Sequence, residues 1–216
     1  MRRIKVGFGG FLMLLAMLIC DKGRVVAVYF LAALLHELGH LLAAKALKIG
    51  IGEIRFELSG VRICPENRVI SYFEEAVLAA AGPLVGLLSA LAVLLFAAAA
   101  GQSITELFSA AERFLHQGEG GFLGGCGFFC LSSLLQTATN LLPVSSFDGG
   151  RILYSFLARF AGLDVAERVL GITSALSAFV IWTAALYLML KVSAGLGVYV
   201  FAFGIFAGIV WKGSER

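Results

Sequence analysis

The chain has 216 residues, of which 60% are hydrophobic and 14% charged, and its mean hydropathy is +0.93. A soluble domain would carry roughly a quarter charged residues, so these proportions exclude a soluble globular protein and point to a polytopic membrane protein. The formal charge of +3 comes from basic residues scattered along the loops, a pattern that excludes a nucleic-acid-binding patch.

Taken in chain order, six apolar segments are long enough, or nearly so, for a bilayer with about 30 Å of hydrocarbon. They cover approximately 6–20, 25–47, 76–100, 121–142, 165–190 and 194–211. The first follows Arg2, Arg3 and Lys5 and resembles a signal peptide. No small-residue cleavage site follows it, so it is expected to remain as a membrane segment. Residues 53–72 break the helical pattern: Glu53-Ile54-Arg55-Phe56-Glu57-Leu58 alternates polar and apolar, and Ser59-Gly60 supplies a turn. This predicts a small β-hairpin or sheet after the second helix. An exposed strand edge near 53–64 could pair with an extended peptide; the alternative is a plain connecting loop. The polar-containing stretches at about 50–73 and 101–120 are too short to bury a core of their own. A stretch at Ile152–Phe160 is amphipathic and predicts a surface helix rather than a span. The fold expected is therefore all-α, with about six transmembrane helices and one small β element, in a single membrane-embedded domain whose core runs from about 25 to 160.

Alternating the six segments from a cytoplasmic N-terminus places thirteen Lys and Arg residues inside and only Lys22, Arg24, Arg113 and Lys191 outside. That is a positive-inside bias, and it predicts a multi-pass protein with both termini cytoplasmic. Cys126 and Cys130 share a helix face four residues apart. They fit buried packing better than a thiolate metal pair, because free cysteine behaves as a small apolar residue.

The chemistry lies in the second segment, at His36-Glu37-Leu38-Gly39-His40. Residues four apart on a helix point the same way, so His36 and His40 can present two imidazoles to one metal ion. Glu37 beside them can accept a proton from water. Chance alone would produce such a motif in on the order of 1% of chains this long. A charged residue at the centre of a span costs about 2.5–3.5 kcal/mol, so Glu37 in an apolar stretch calls for a use. The structural alternative is a hydrogen-bonded Glu–His cluster that fastens helices together. Zinc needs a third protein ligand. His116 falls in the external loop, on the wrong side. Asp148, after the fourth segment, falls on the right side and completes a two-histidine, one-carboxylate set with a fourth position open. By itself Asp148 also reads as the N-cap of a helix starting near Gly150. Pro143 ends the preceding helix where irregular backbone is tolerated only if it lines a cavity.

With these pieces the chain resembles the site-2 protease family of intramembrane zinc metalloproteases, in size and layout its stage IV sporulation protein FB-like branch. The matching residues are the His36–His40 motif, Ala81-Gly82-Pro83-Leu84, and Asn140-Leu141-Leu142-Pro143 leading to Asp148-Gly149-Gly150-Arg151. The resemblance implies one zinc ion held by His36, His40 and Asp148, with Glu37 as the catalytic base. It implies that Asn140 holds the substrate backbone or the developing oxyanion; an interhelical hydrogen bond is the alternative for that residue. It further implies a membrane-associated protein substrate, such as a transcription-factor precursor, an anti-sigma factor or a remnant signal peptide, and a bacterial cytoplasmic or forespore-surrounding membrane. The chain departs from the family pattern at Gly86, where members often have Asn, and at Ser146-Phe147, where a proline often precedes the Asp. No PDZ or CBS module is expected. The rival reading is a non-catalytic metal-binding membrane protein, either a transporter or a protease-derived scaffold.

Overall fold

A computed structural model describes residues 3–6, 23–57, 60–65, 70–117 and 119–192. The apolar segment at 6–20 lies outside these residues except for Val6, and the segment at 194–211 lies wholly outside them. Strand β1 covers Arg3–Val6, helix α1 Gly23–Ala46, β2 Ile51–Glu57 and β3 Gly60–Pro65. They are followed by α2 Tyr72–Ala99, α3 Ile104–Gln117, α4 Gly121–Asn140, α5 Asp148–Phe160 and α6 Leu163–Val192. Four helices are long and apolar enough to cross a membrane, through Ala27–Ala46, Tyr72–Ala99, Gly121–Asn140 and Leu163–Ala184. Large apolar side chains on them, Leu34, Leu95 and Phe179 among them, are mostly exposed. Such surfaces suit a hydrocarbon solvent and mark a multi-pass membrane protein.

Helices α1, α2 and α4 pack against one another, and α5 lies against α2 and α6. Helix α2 runs antiparallel to the other two. Its Gly82 meets His36 and His40 of α1, while Gly86 meets Thr137 of α4 and Ala90 accepts a hydrogen bond from Cys130. Close approach depends on residues without side chains. A Cβ on Gly39 would lie 2.5 Å from the carbonyl oxygen of Ala81, so α1 and α2 touch backbone to backbone, as membrane helices do at small residues. Ser71 begins α2 with a capping box, in which Glu74 N–H donates to the Ser71 hydroxyl at 3.2 Å and Ser71 N–H donates to the Glu74 carboxylate at 2.9 Å.

Two elements differ from the sequence reading. The stretch at 101–120 is not merely a loop: α3 forms behind a second Ser/Glu capping pair, Ser103 and Glu106. It packs Leu107, Ala110, Ala111 and Phe114 inward, against α4. In addition, β2 is not an edge strand. It pairs antiparallel with β3 and parallel with β1, giving the order β1-β2-β3. The peptide-pairing edge expected at 53–64 therefore narrows, among the described strands, to β3 on one side and β1 on the other.

Replacing Gly39 with Ala forces a methyl against the Ala81 carbonyl and is expected to destabilise the protein by about 1–3 kcal/mol. Gly171→Ala, where nothing lies within 4 Å of the added carbon, serves as the control. Thermal unfolding in detergent micelles measures both, and equal midpoints for the two variants would refute the close-contact account.

Candidate metal centre

His36 is fourteenth of the 24 residues of α1. At about 1.5 Å rise per residue it stands about 15 Å from the end of that helix, well inside the span. Its side chain and that of His40 are buried and converge, with Nε2 atoms 3.3 Å apart. Asp148, first residue of α5 and also buried, reaches both: its Oδ2 lies 3.1 Å from His36 Nε2 and 3.2 Å from His40 Nε2. The Nδ1–H of His40 donates to the carbonyl of Leu78 at 2.8 Å, so in the neutral ring Nε2 carries a lone pair. Three electron-rich atoms thus face one point. One ligand atom each from His36, Glu37 and His40 also lies within 4.8 Å of the others, a group that could hold a metal ion.

The carboxylate is delivered by a compressed turn. Helix α4 ends at Asn140, and Val144 and Phe147 of the connection are buried together beside Leu142 and Ile181. Ser145 N–H donates to the Ser174 hydroxyl of α6 at 2.9 Å. Gly149 and Gly150 press on the carbonyls of Leu141 and Val144 where any Cβ would clash, and this folds the start of α5 back onto the connection that follows α4. The N-cap of α5 is Phe147, without a side-chain cap bond, and the Asp148 side chain turns inward. The capping alternative for Asp148 therefore fails on geometry. Burial opposes the Asp148 charge, but with the imidazoles protonated, hydrogen bonds to His36 and His40 and the charges of His40 and Arg151 outweigh it, so its pKa is held down to about 2.

Asn140 places its amide nitrogen 3.3 Å from His36 Nε2, so the end of α4 borders the same space. His116 is exposed in the last turn of α3 and does not join the group. Cys126 and Cys130 are free thiols, and Cys130 spends its proton on the Ala90 carbonyl at 3.8 Å. Sequence reasoning missed Gly82. A Cβ there would strike Nε2 of both histidines, so the absence of a side chain keeps open the point on which the three atoms converge. The Ala81-Gly82-Pro83 run marked the position; only the packing of α2 on α1 gives it a function.

No protein-family model matches the chain, and no curated protein sequence matches it significantly. Among solved structures it is similar to the "Site-2 Protease from Methanocaldococcus jannaschii", with a TM-score of 0.64 and 19% sequence identity over 97% of this chain and 90% of that one. The chain therefore has a site-2 protease-like fold, and within that fold lies an HExxH-type group, His36, Glu37 and His40, suited to a metal ion.

Proposed function

We propose that the protein is an intramembrane zinc metalloendopeptidase that cleaves membrane-associated protein substrates. The observation that carries this reading is the triangle of His36 Nε2, His40 Nε2 and Asp148 Oδ2, with sides of 3.1, 3.2 and 3.3 Å. Ligand atoms about 2.0–2.1 Å from a tetrahedral zinc stand about 3.3 Å apart. Two imidazole nitrogens and a carboxylate oxygen at this spacing form one face of such a tetrahedron, and a cation between them removes the repulsion of their lone pairs.

His36, His40 and Asp148 would hold the zinc, which supplies Lewis acidity toward water and the scissile carbonyl. Glu37, one residue along α1 from a ligand, accepts the proton of the attacking water and returns it to the leaving amine. Asn140 offers its amide to the substrate backbone or the developing oxyanion. The substrate must be extended at the cleaved bond, because a helix shields its own carbonyls, and β3 supplies an edge for such a segment. The charge distribution supports cytoplasmic termini and a site opening toward the cytoplasm. Assignment to the sporulation branch, and substrates such as transcription-factor precursors, anti-sigma factors and signal-peptide remnants, rest on the sequence resemblance alone.

Metal content separates this reading from a hydrogen-bonded cluster. Purified protein is expected to contain one zinc per chain, and both Asp148→Ala and Gly82→Ala are expected to lose most of it; full retention by Asp148→Ala would sink the ligand set. Glu37→Gln is expected to keep its zinc while cleavage in a reconstituted membrane assay falls about 10²–10⁴-fold. Substantial proteolysis by that variant would remove Glu37 from the mechanism. Zinc binding without cleavage by the wild type would favour the non-catalytic alternative.

A further inference from the structure

Arg151 lies in the first turn of α5, where a cation opposes the helix dipole, so helical preference does not explain its place. Its Nε donates to Glu75 Oε1 of α2 at 2.7 Å, and its Nη1 donates to Asp148 Oδ1 at 3.3 Å. The second contact takes the carboxylate oxygen that does not face the imidazoles. Glu75 in turn stands three residues before Leu78, whose carbonyl fixes the His40 ring, and seven before Gly82, which keeps the metal space open. Residues at i, i+3 and i+7 share one helix face, so a single stripe of α2 reaches both the α1 ligands and, through Arg151, the ligand from α5.

We infer that Arg151, anchored by Glu75, is a positioning residue that holds the Asp148 carboxylate with Oδ2 turned toward His36 and His40. The inference rests on the zinc reading above. A hydrogen-bonded ligand keeps its orientation, and loss of such a partner costs about 10–100-fold in metal affinity. The guanidinium suits this task because its planar fork engages two carboxylates at once, whereas an ammonium is a point charge without that geometry. The opposing possibility is that the Glu75–Arg151 pair merely ties α2 to α5 and leaves the ligands as they are.

The two are separated by measuring zinc affinity in chelator competition, the visible absorption of the cobalt-substituted protein, and thermal unfolding of the metal-free form. Arg151→Met is expected to weaken zinc binding about 10–100-fold and to shift the cobalt absorption, with Arg151→Lys recovering part of the affinity. Glu75→Gln should weaken binding in the same direction but less, and the Glu75→Gln, Arg151→Met double variant should be no worse than Arg151→Met alone. Wild-type affinity and an unshifted cobalt spectrum in Arg151→Met, with only the metal-free midpoint lowered, would overturn the inference and leave a structural tie. Should Arg151→Met fail to fold, Arg151→Lys and Glu75→Gln decide, since unchanged affinity and spectrum in both overturn it equally. A wild type that binds no zinc refutes the metal reading and this inference together, whereas a zinc-binding wild type with indifferent Arg151 variants refutes this inference alone.

Discussion

Polar groups inside a bilayer must satisfy one another, because no water competes for them and each unpaired one costs several kcal/mol. Among the described residues His36, His40 and Asp148 converge at one point, where a bound cation would stand in for missing hydrogen-bond donors. Much of the architecture follows from bringing those three together. Two come from α1 at the spacing of one helical turn. The third arrives from α5, more than a hundred residues later, and needs Gly149 and Gly150 pressed against the connection at Leu141 and Val144 to get there.

Close approach is what makes the convergence affordable. Side chains between α1 and α2 would hold the helices apart and fill the point on which His36, His40 and Asp148 converge. Gly39 removes the first obstacle and Gly82 the second. Glycine costs a helix about 1 kcal/mol relative to alanine in water. Here that cost is offset by backbone contact. Gly86 follows the same rule one turn further on, against Thr137.

How much of this could be read from residues alone depended on how local the signal was. The HExxH pair is an i, i+4 pattern and survives any tertiary arrangement, so it was legible. Asp148 was reached by charge topology rather than by contact, and its competing reading as an N-cap fell only when Phe147 proved to be the cap. Helix α3 was missed although its signal was present: Ser103-x-x-Glu106 ahead of Leu107, Ala110, Ala111 and Phe114 is a capping box followed by an apolar stripe. The low overall hydropathy of 101–120 masks it. Strand β1 was read as the charged start of a membrane segment. The alternation Arg3-Ile4-Lys5-Val6 is too short to stand against that reading, and its partner β2 lies about fifty residues away in sequence.

The contacts around Asp148 and His40 were illegible for a deeper reason. Glu75 and Arg151 are 76 residues apart, each an ordinary charged residue near a membrane boundary, and no periodicity joins them. Leu78 acts through its carbonyl, so its side chain says nothing of its part in holding His40. What makes both readable in the structure is that they share a face of α2 with Gly82. That helix contributes no ligand, yet its carbonyl, its carboxylate and its missing side chain each bear on a group from another element. A helix with only Tyr, Phe and two Glu residues to distinguish its first turn from any other span thus acts as the template on which the centre is assembled. Its sequence, read along its own length, had no means of saying so.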